Sequence, residues 1–107
     1  MGQRPRSRPQ YLAAKLLAIR QKLGVSQSQL AKLLNLDKGV ARISEYENGI
    51  REPDLIVLLD YAKLARVSMD ILANDNRELV FPKQWKRPRN AKALLMQKRV
   101  NETSEQF

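Results

Sequence analysis

The chain has 107 residues and a formal net charge of +9, from 20 lysines and arginines against 11 aspartates and glutamates. This length suits one domain with a core large enough to fold alone. Because the chain contains neither cysteine nor histidine, disulfides, thiolate nucleophiles and zinc–thiolate sites are excluded, and the commonest general base is missing. We therefore expect a protein that is not an enzyme and holds no metal and no cofactor. The longest uninterrupted apolar run, residues 55–59, is far too short to span a bilayer, so we also expect no membrane partner.

The positive charge is concentrated at the two ends of the chain. Residues 1–10 contain Arg4, Arg6 and Arg8 together with two prolines, which predicts a flexible basic arm. Residues 77–107 carry most of the remaining excess of basic residues. Residues 11–36 contain no acidic residue, and we expect their basic side chains to form a face that meets phosphate: Lys15, Arg20, Lys22 and Lys32.

Two helices joined by a tight turn are predicted first. Apolar residues at helical spacing follow Pro9, and Gly24 is the expected C-cap of this first helix. Ser26 is a good N-cap for the second helix, and Gln29, three residues later, completes a capping box. Asn35 comes where the chain must turn sharply, and asparagine is the best non-glycine residue for a left-handed backbone conformation.

Three further helices are predicted as far as about Leu72. Asp37 is the expected N-cap of the third helix, which ends at Gly49. Asp54 opens a leucine-rich fourth helix, and Ser68 caps the short fifth one. The apolar residues of the fourth helix are expected to face inward: Leu55, Leu58, Leu59, Ala62 and Ala65. The expected fold class is an all-α, five-helix domain that spans residues 11–76.

Residues 77–107 are predicted to form a basic C-terminal extension outside this domain. Residues 79–81 are apolar and suit a short strand, and residues 91–100 suit a helix. Trp85 lies among basic residues, so that it either stacks on a base or packs onto the domain. The extension is expected to serve dimerisation, a protein partner or phosphate contacts, and the sequence leaves these alternatives open.

An ordered set of positions between Leu16 and Leu72 carries a family resemblance: Ile19–Arg20, Gly24 to Gln27, Leu30–Ala31, Leu34 to Leu36, Ile43–Ser44, Glu47 to Gly49, Arg51 and Pro53. This segment resembles the Cro/lambda-repressor type of helix-turn-helix domain, also called xenobiotic-response-element-like. The resemblance implies a lambda-repressor-like fold whose third helix reads the major groove of double-stranded DNA. It also implies a sequence-specific transcriptional regulator, acting as a repressor and a homodimer, that is cytoplasmic and nucleoid-associated.

Roles for single residues follow from this resemblance. Gln27 and Asn48 are implied to contact phosphate, and Gln27 also supports the reading helix. Arg20 and Glu47 are implied to form a partly buried pair that ties the first helix to the third. We interpret that pair as structural, because removing one partner would leave a lone buried charge.

The chain departs from the family between Leu36 and Ile43, where it has two residues more than the usual spacing. The step into the third helix, or its first turn, must therefore be altered. Counted back from the end of that helix, the family's base-reading positions fall on residues that offer few side-chain donors: Gly39, Val40 and Ala41.

Helix geometry indicates a different reading face, formed by Lys38, Arg42 and Glu45. Arginine suits a bidentate contact with guanine, and glutamate accepts a hydrogen bond from cytosine. We therefore expect Arg42 to be the main base reader, with Lys38 and Glu45 beside it and Ser44 at its flank. The alternative is a solvated face on which Arg42 merely pairs with Glu45. Two further basic residues are expected to contact phosphate: Lys32 and Arg51.

Two rival functions stay open at this point. The first is an antitoxin-like or adaptor protein whose residues 77–107 bind a protein partner and become ordered only with it. The second is a non-specific nucleic-acid binder driven by the basic ends, which would show a steep salt dependence and little sequence preference.

Overall fold

The computed structural model of the chain describes residues 9–36, 39–90 and 95. Within these ranges there are five helices and no strand: α1 (Leu12–Leu23), α2 (Gln27–Leu34), α3 (Val40–Glu47), α4 (Leu55–Ala65) and α5 (Met69–Ala73). The all-α, five-helix prediction is confirmed, and the strand predicted at residues 79–81 is wrong. Of the basic arm predicted at residues 1–10, residues 1–8 lie outside the described residues. The helix predicted at 91–100 also lies outside them apart from Leu95, which is helical and buried.

Local side-chain chemistry sets the ends of most helices, as predicted. The Ser26 hydroxyl accepts a hydrogen bond from the backbone N–H of Gln29 at 3.0 Å, and the Gln29 side chain accepts one from Ser26 N–H at 2.8 Å. Gly24 and Asn35 end α1 and α2 in left-handed conformations, with φ of 73° and 55°. Asp54 accepts a hydrogen bond from an N–H in the first turn of α4. These contacts satisfy backbone groups that a helix leaves unpaired at its ends.

The start of α3 differs from the prediction. Gly39, not Asp37, is its N-cap, with φ 55° and ψ −130°, and it makes no side-chain cap. The N–H of Gly39 donates to the carbonyl of Leu36 at 3.2 Å, so the chain makes an additional turn before the helix begins. Gly39 itself has a backbone conformation that only glycine adopts without strain.

The core lies between α1 and the other helices. α1 contributes Leu16 and Ile19, which are fully buried against apolar side chains from α2 to α5: Leu30, Ile43, Tyr61, Leu64 and Leu72. The inward face of α4 is formed by Val57, Tyr61 and Ala65 at helical spacing. Leu55 falls off that face and is 69% exposed, so its predicted inward orientation is wrong.

Lys15 is a structural residue and not part of a phosphate-binding face. Its side chain is buried, with 7% exposed, and Nζ donates to the carbonyls of Ile71, Asn74 and Arg77 at 2.8, 3.0 and 2.8 Å. Lysine at a helix C-terminus satisfies carbonyls that have no partner within the helix. The expectation that Lys15 meets phosphate is therefore wrong, because its ammonium holds the end of α5 against α1.

A second contact joins the same two chain segments. The Asp75 carboxylate accepts hydrogen bonds from the backbone N–H groups of Gln10 and Tyr11, at 2.9 and 3.1 Å. The hydrogen bond from Gln10 is the main reason that the pKa of Asp75 lies below its ordinary value. A residue that follows α5 thus supplies the acceptor that the start of α1 lacks.

The described part of the C-terminal extension packs onto the domain. Trp85 Nε1 donates to the carbonyl of Leu64 in α4 at 3.1 Å. Phe81 meets the Trp85 ring edge-on, with centroids 5.6 Å apart, and the Lys22 ammonium lies 5.3 and 5.4 Å from the two ring centroids. Of the two alternatives for Trp85, the structure shows the one in which it packs onto the domain. The Lys22 ammonium makes cation–π contacts with both aromatic rings.

We expect Gly39→Ala to lower the free energy of unfolding by about 1–2 kcal/mol. A Cβ at this position would meet nothing within 4 Å, so the cost comes from backbone strain alone. Urea unfolding measures it. The matched control is Asn35→Gly, at a similar φ but an ordinary left-handed ψ of 50°, which is expected to change stability by only a few tenths of a kcal/mol. Equal stability of Gly39→Ala and wild type would contradict the proposed turn.

We expect Lys15→Met to destabilise the fold by about 2–4 kcal/mol, because three carbonyls lose their donor while a buried apolar chain remains. The control is Lys32→Met on the exposed side of α2, with an expected change within about 0.5 kcal/mol. Chemical denaturation of both variants compares them directly. Similar midpoints for the two would show that the carbonyls find other donors.

Candidate nucleic-acid interface

The candidate interface is built on α2 and α3, which pack against each other across the turn at Asn35. α3 buries Ile43 and Tyr46 in the core. Its first turn leaves Val40 and Ala41 exposed. Because an eight-residue helix is marginal on its own, α3 depends on these tertiary contacts for its order.

A partly buried ion pair fixes the C-terminal end of α3. Arg20 of α1 donates from Nε to Glu47 Oε2 at 2.6 Å and from Nη2 to Oε1 at 3.1 Å. Arg20 Nη1 also donates to the carbonyl of Val25, between α1 and α2. The Glu47 side chain is only 5% exposed, and its hydrogen bond raises the pKa of Arg20 despite the opposing effect of burial. The structure therefore places this pair where the family resemblance implied it.

Gln27 joins the same carboxylate. Its Nε2 donates to Glu47 Oε1 at 2.9 Å, so the first residue of α2 supports α3 directly. One further amide hydrogen and the amide oxygen of Gln27 take no part in this bond. The predicted supporting role of Gln27 has a structural basis, and its phosphate contact stays a prediction.

Ser44 and Asn48 form a second small group near the end of α3. Asn48 Nδ2 donates to the carbonyl of Ser44 at 2.8 Å and to its hydroxyl oxygen at 3.2 Å. The Ser44 hydroxyl accepts in this contact and keeps its own hydrogen for donation. Both residues remain at least partly exposed. The structure thus brings together two residues with different predicted roles: Ser44, predicted to contact a base, and Asn48, predicted to contact phosphate.

Glu45 connects two arginines that the sequence assigned to different roles. Its Oε1 accepts hydrogen bonds from Arg42 Nη1 at 3.1 Å and from Arg51 Nε at 3.0 Å. The hydrogen bond from Arg51 is the main reason that the pKa of Glu45 lies below its ordinary value, so the carboxylate is ionised at neutral pH. Arg42 does pair with Glu45, as the alternative interpretation expected.

The link between Glu45 and Arg51 was missed by sequence reasoning. It depends on the turn after α3, where the N–H groups of Ile50 and Arg51 both donate to the Glu45 carbonyl at 2.9 and 3.3 Å. Gly49, with φ of 74°, turns the chain back toward the helix. A glycine that closes a helix is the signal that could have indicated this return.

The two remaining residues predicted to contact DNA are Lys32 and Lys38. Lys32 is exposed in the last turn of α2. Lys38, predicted to read a base beside Arg42, lies outside the described residues. In the ranges that the structure describes, no group of acidic side chains is arranged to hold a metal ion, and no helix has the length and apolar character needed to cross a membrane.

Comparison with known proteins gives one family match. The family model described as "Helix-turn-helix" matches residues 16–72, which is more than half of the chain. Comparison with curated proteins and with solved structures gives no significant match. The matched range begins within α1 and ends within α5, so it includes the whole of α2, α3 and α4 and the interface described above.

We expect Glu47→Gln to lower the free energy of unfolding by about 3 kcal/mol, because Arg20 would keep its charge in a largely buried position without a counterion. Thermal and urea unfolding of the variant test this. The control is Asp70→Asn, which removes an exposed carboxylate that pairs with Arg77 at 2.9 Å. An exposed pair of this kind is worth at most about 1 kcal/mol. Comparable losses in the two variants would contradict a special role for Glu47.

Proposed function

We propose, since the chain belongs to the helix-turn-helix family of Cro/C1-type DNA-binding domains, that it is a sequence-specific transcriptional repressor. Proteins of this family are generally non-enzymatic. In this proposal α3 enters the major groove, while α2 lies across the phosphate backbone. The protein acts at the nucleoid, in the cytoplasm.

One observation carries the proposal: α3 is attached to the rest of the domain on one side and exposes polar side chains on the other. Glu47 ties it to α1 and α2, and Ile43 fills the core. Arg42, Ser44 and Glu45 keep partly exposed polar groups outside that attachment. A rigid element that presents polar groups is what direct reading of base edges requires.

Each polar residue has a proposed contact. Arg42 is the main base reader, because its guanidinium retains N–H groups beyond the one bound to Glu45. Ser44 is proposed to contact a base beside Arg42, and Lys38, which lies outside the described residues, stays a proposed base contact. Four residues around this face are proposed to contact phosphate: Gln27, Lys32, Asn48 and Arg51.

We further propose that two copies bind one operator. A domain of this size covers few base pairs, and a two-fold dimer reads two half-sites about one helical turn apart. Residues 77–107 are proposed to supply additional surface for the second copy, for a protein partner or for phosphate.

The packing of the extension favours this function over an adaptor role. An adaptor segment is expected to become ordered only with its partner. In this chain the aromatic side chains of the segment are occupied by the domain itself, with Phe81 beside Lys22 of α1 and Trp85 bonded to Leu64 of α4. The adaptor hypothesis therefore loses support for residues 79–85.

Selection of bound sequences from a random pool of DNA duplexes, at about physiological salt, tests the proposed function. The selected site is then titrated against scrambled DNA. We expect a palindromic site bound on the order of a thousandfold more tightly than scrambled duplex. Absence of enrichment, with binding that fades as salt rises, would instead support non-specific binding by the basic ends.

We expect Arg42→Ala to weaken binding to the selected site by about 1–3 kcal/mol and to relax its preference at one base pair per half-site. The control is Arg77→Ala, which removes an arginine from an exposed ion pair near the end of α5. It should leave the sequence preference unchanged. Competition titrations with single-base variants of the site measure both effects. If Arg42→Ala weakens binding to every sequence equally, Arg42 contacts phosphate and does not read a base.

A further inference from the structure

Glu45 is bonded in a way that base reading alone does not explain. One carboxylate oxygen, Oε1, accepts hydrogen bonds from both Arg42 and Arg51, although one arginine precedes Glu45 in the chain and the other follows it. Its backbone carbonyl accepts from the N–H of Arg51 as well. Arg51 is thus bound to Glu45 through both its backbone and its side chain.

Both arginines keep part of their guanidinium for a ligand. Arg51 uses Nε, so neither of its Nη groups takes part in the contact. Arg42 uses Nη1, which leaves Nε and Nη2 outside the contact. A guanidinium has five N–H donors in a rigid planar fork, so fixing one of them restricts the direction of the others.

We propose that Glu45 is a specificity-determining positioning residue, which does not read cytosine but orients Arg42 toward the bases and Arg51 toward phosphate. This inference rests on the proposed function and deepens it. The three side chains form one unit with a net charge of +1, in which Glu45 offsets the charge of one arginine.

Two physical effects make such a unit selective. A long arginine side chain loses rotamer freedom when it binds, and a carboxylate that already holds it removes part of that cost at the correct site. Non-specific affinity grows with the number of phosphates neutralised, so a carboxylate between two arginines lowers affinity for DNA of any sequence. Glu45 therefore favours the operator and disfavours all other DNA.

The test compares Glu45→Gln and Glu45→Ala with the wild type on the selected site and on scrambled duplex over a range of salt. Glutamine removes the charge and keeps one acceptor oxygen, whereas alanine removes both. We expect both variants to bind scrambled DNA more tightly, with a salt dependence steeper by about one phosphate contact. We expect the affinity for the selected site, divided by the affinity for scrambled DNA, to fall on the order of tenfold in Glu45→Ala and by less in Glu45→Gln.

Asp70→Asn is the matched control. It removes one negative charge and frees one exposed arginine, Arg77, away from α3. Any change it causes should be equal on the two DNAs, so that their affinity ratio stays at the wild-type value. Thermal unfolding of each variant confirms that the comparison is made on folded protein.

A double variant separates positioning from direct reading. If Glu45 acts through Arg42, Glu45→Ala lowers the affinity ratio much less in an Arg42→Ala background than in the wild type. An equal fall in both backgrounds, confined to one base pair, would mean that Glu45 reads a base itself and would overturn the inference. An unchanged ratio in the single variants would overturn it too.

The outcomes also distinguish this inference from the proposed function. A wild-type protein that prefers no sequence would overturn both. A wild type with a preferred site whose Glu45 variants keep the same affinity ratio would leave the proposed function standing and overturn only the role of Glu45.

Discussion

The arrangement of the three N-terminal helices depends on one carboxylate. Glu47 receives two hydrogen bonds from Arg20 of α1 and one from Gln27 of α2. Burial of Ile43 and Tyr46, three residues apart, selects the face of α3 that packs on the core. The directional hydrogen bonds to Glu47 add a second attachment at the C-terminal end of the helix. Together they leave the side of α3 that carries Arg42 and Glu45 facing outward.

The same helix carries a second glutamate with the opposite environment. Residues 45 and 47 are two positions apart, about 200° around a helix, so they lie on nearly opposite sides. Glu47 is buried and joins helices, whereas Glu45 is partly exposed and joins two arginines of the candidate interface. Glutamate therefore has a structural role on one side of α3 and lies in the candidate interface on the other. The difference comes from position, since the chemistry of the two side chains is the same.

The sequence predicted those features whose cause is local. The capping box of Ser26 and Gln29, and the left-handed Asn35, need only the residues within one turn, and both are confirmed. The start of α3 was misplaced because Asp37 is a good N-cap in isolation, whereas the turn closed by Gly39 decides where the helix begins. The role of Lys15 escaped prediction because its three carbonyl partners are 56 to 62 residues away. The link from Glu45 to Arg51 required the geometry of the turn after α3.

Most of the basic side chains in residues 11–36 make contacts within the fold. Lys15 binds carbonyls, Arg20 binds Glu47, and Lys22 lies over two aromatic rings. Net charge therefore overstates what this segment offers to phosphate. The basic residues of the extension are placed differently: the Arg87 guanidinium lies so close to Gly24 that a Cβ there would collide with it. Charge from the extension thus reaches the corner between α1 and α2, next to the N-terminus of the helix that supports α3. Under the proposed function, affinity that carries no sequence information is therefore assigned mainly to the chain ends, and discrimination between sequences to α3 and the turn that follows it.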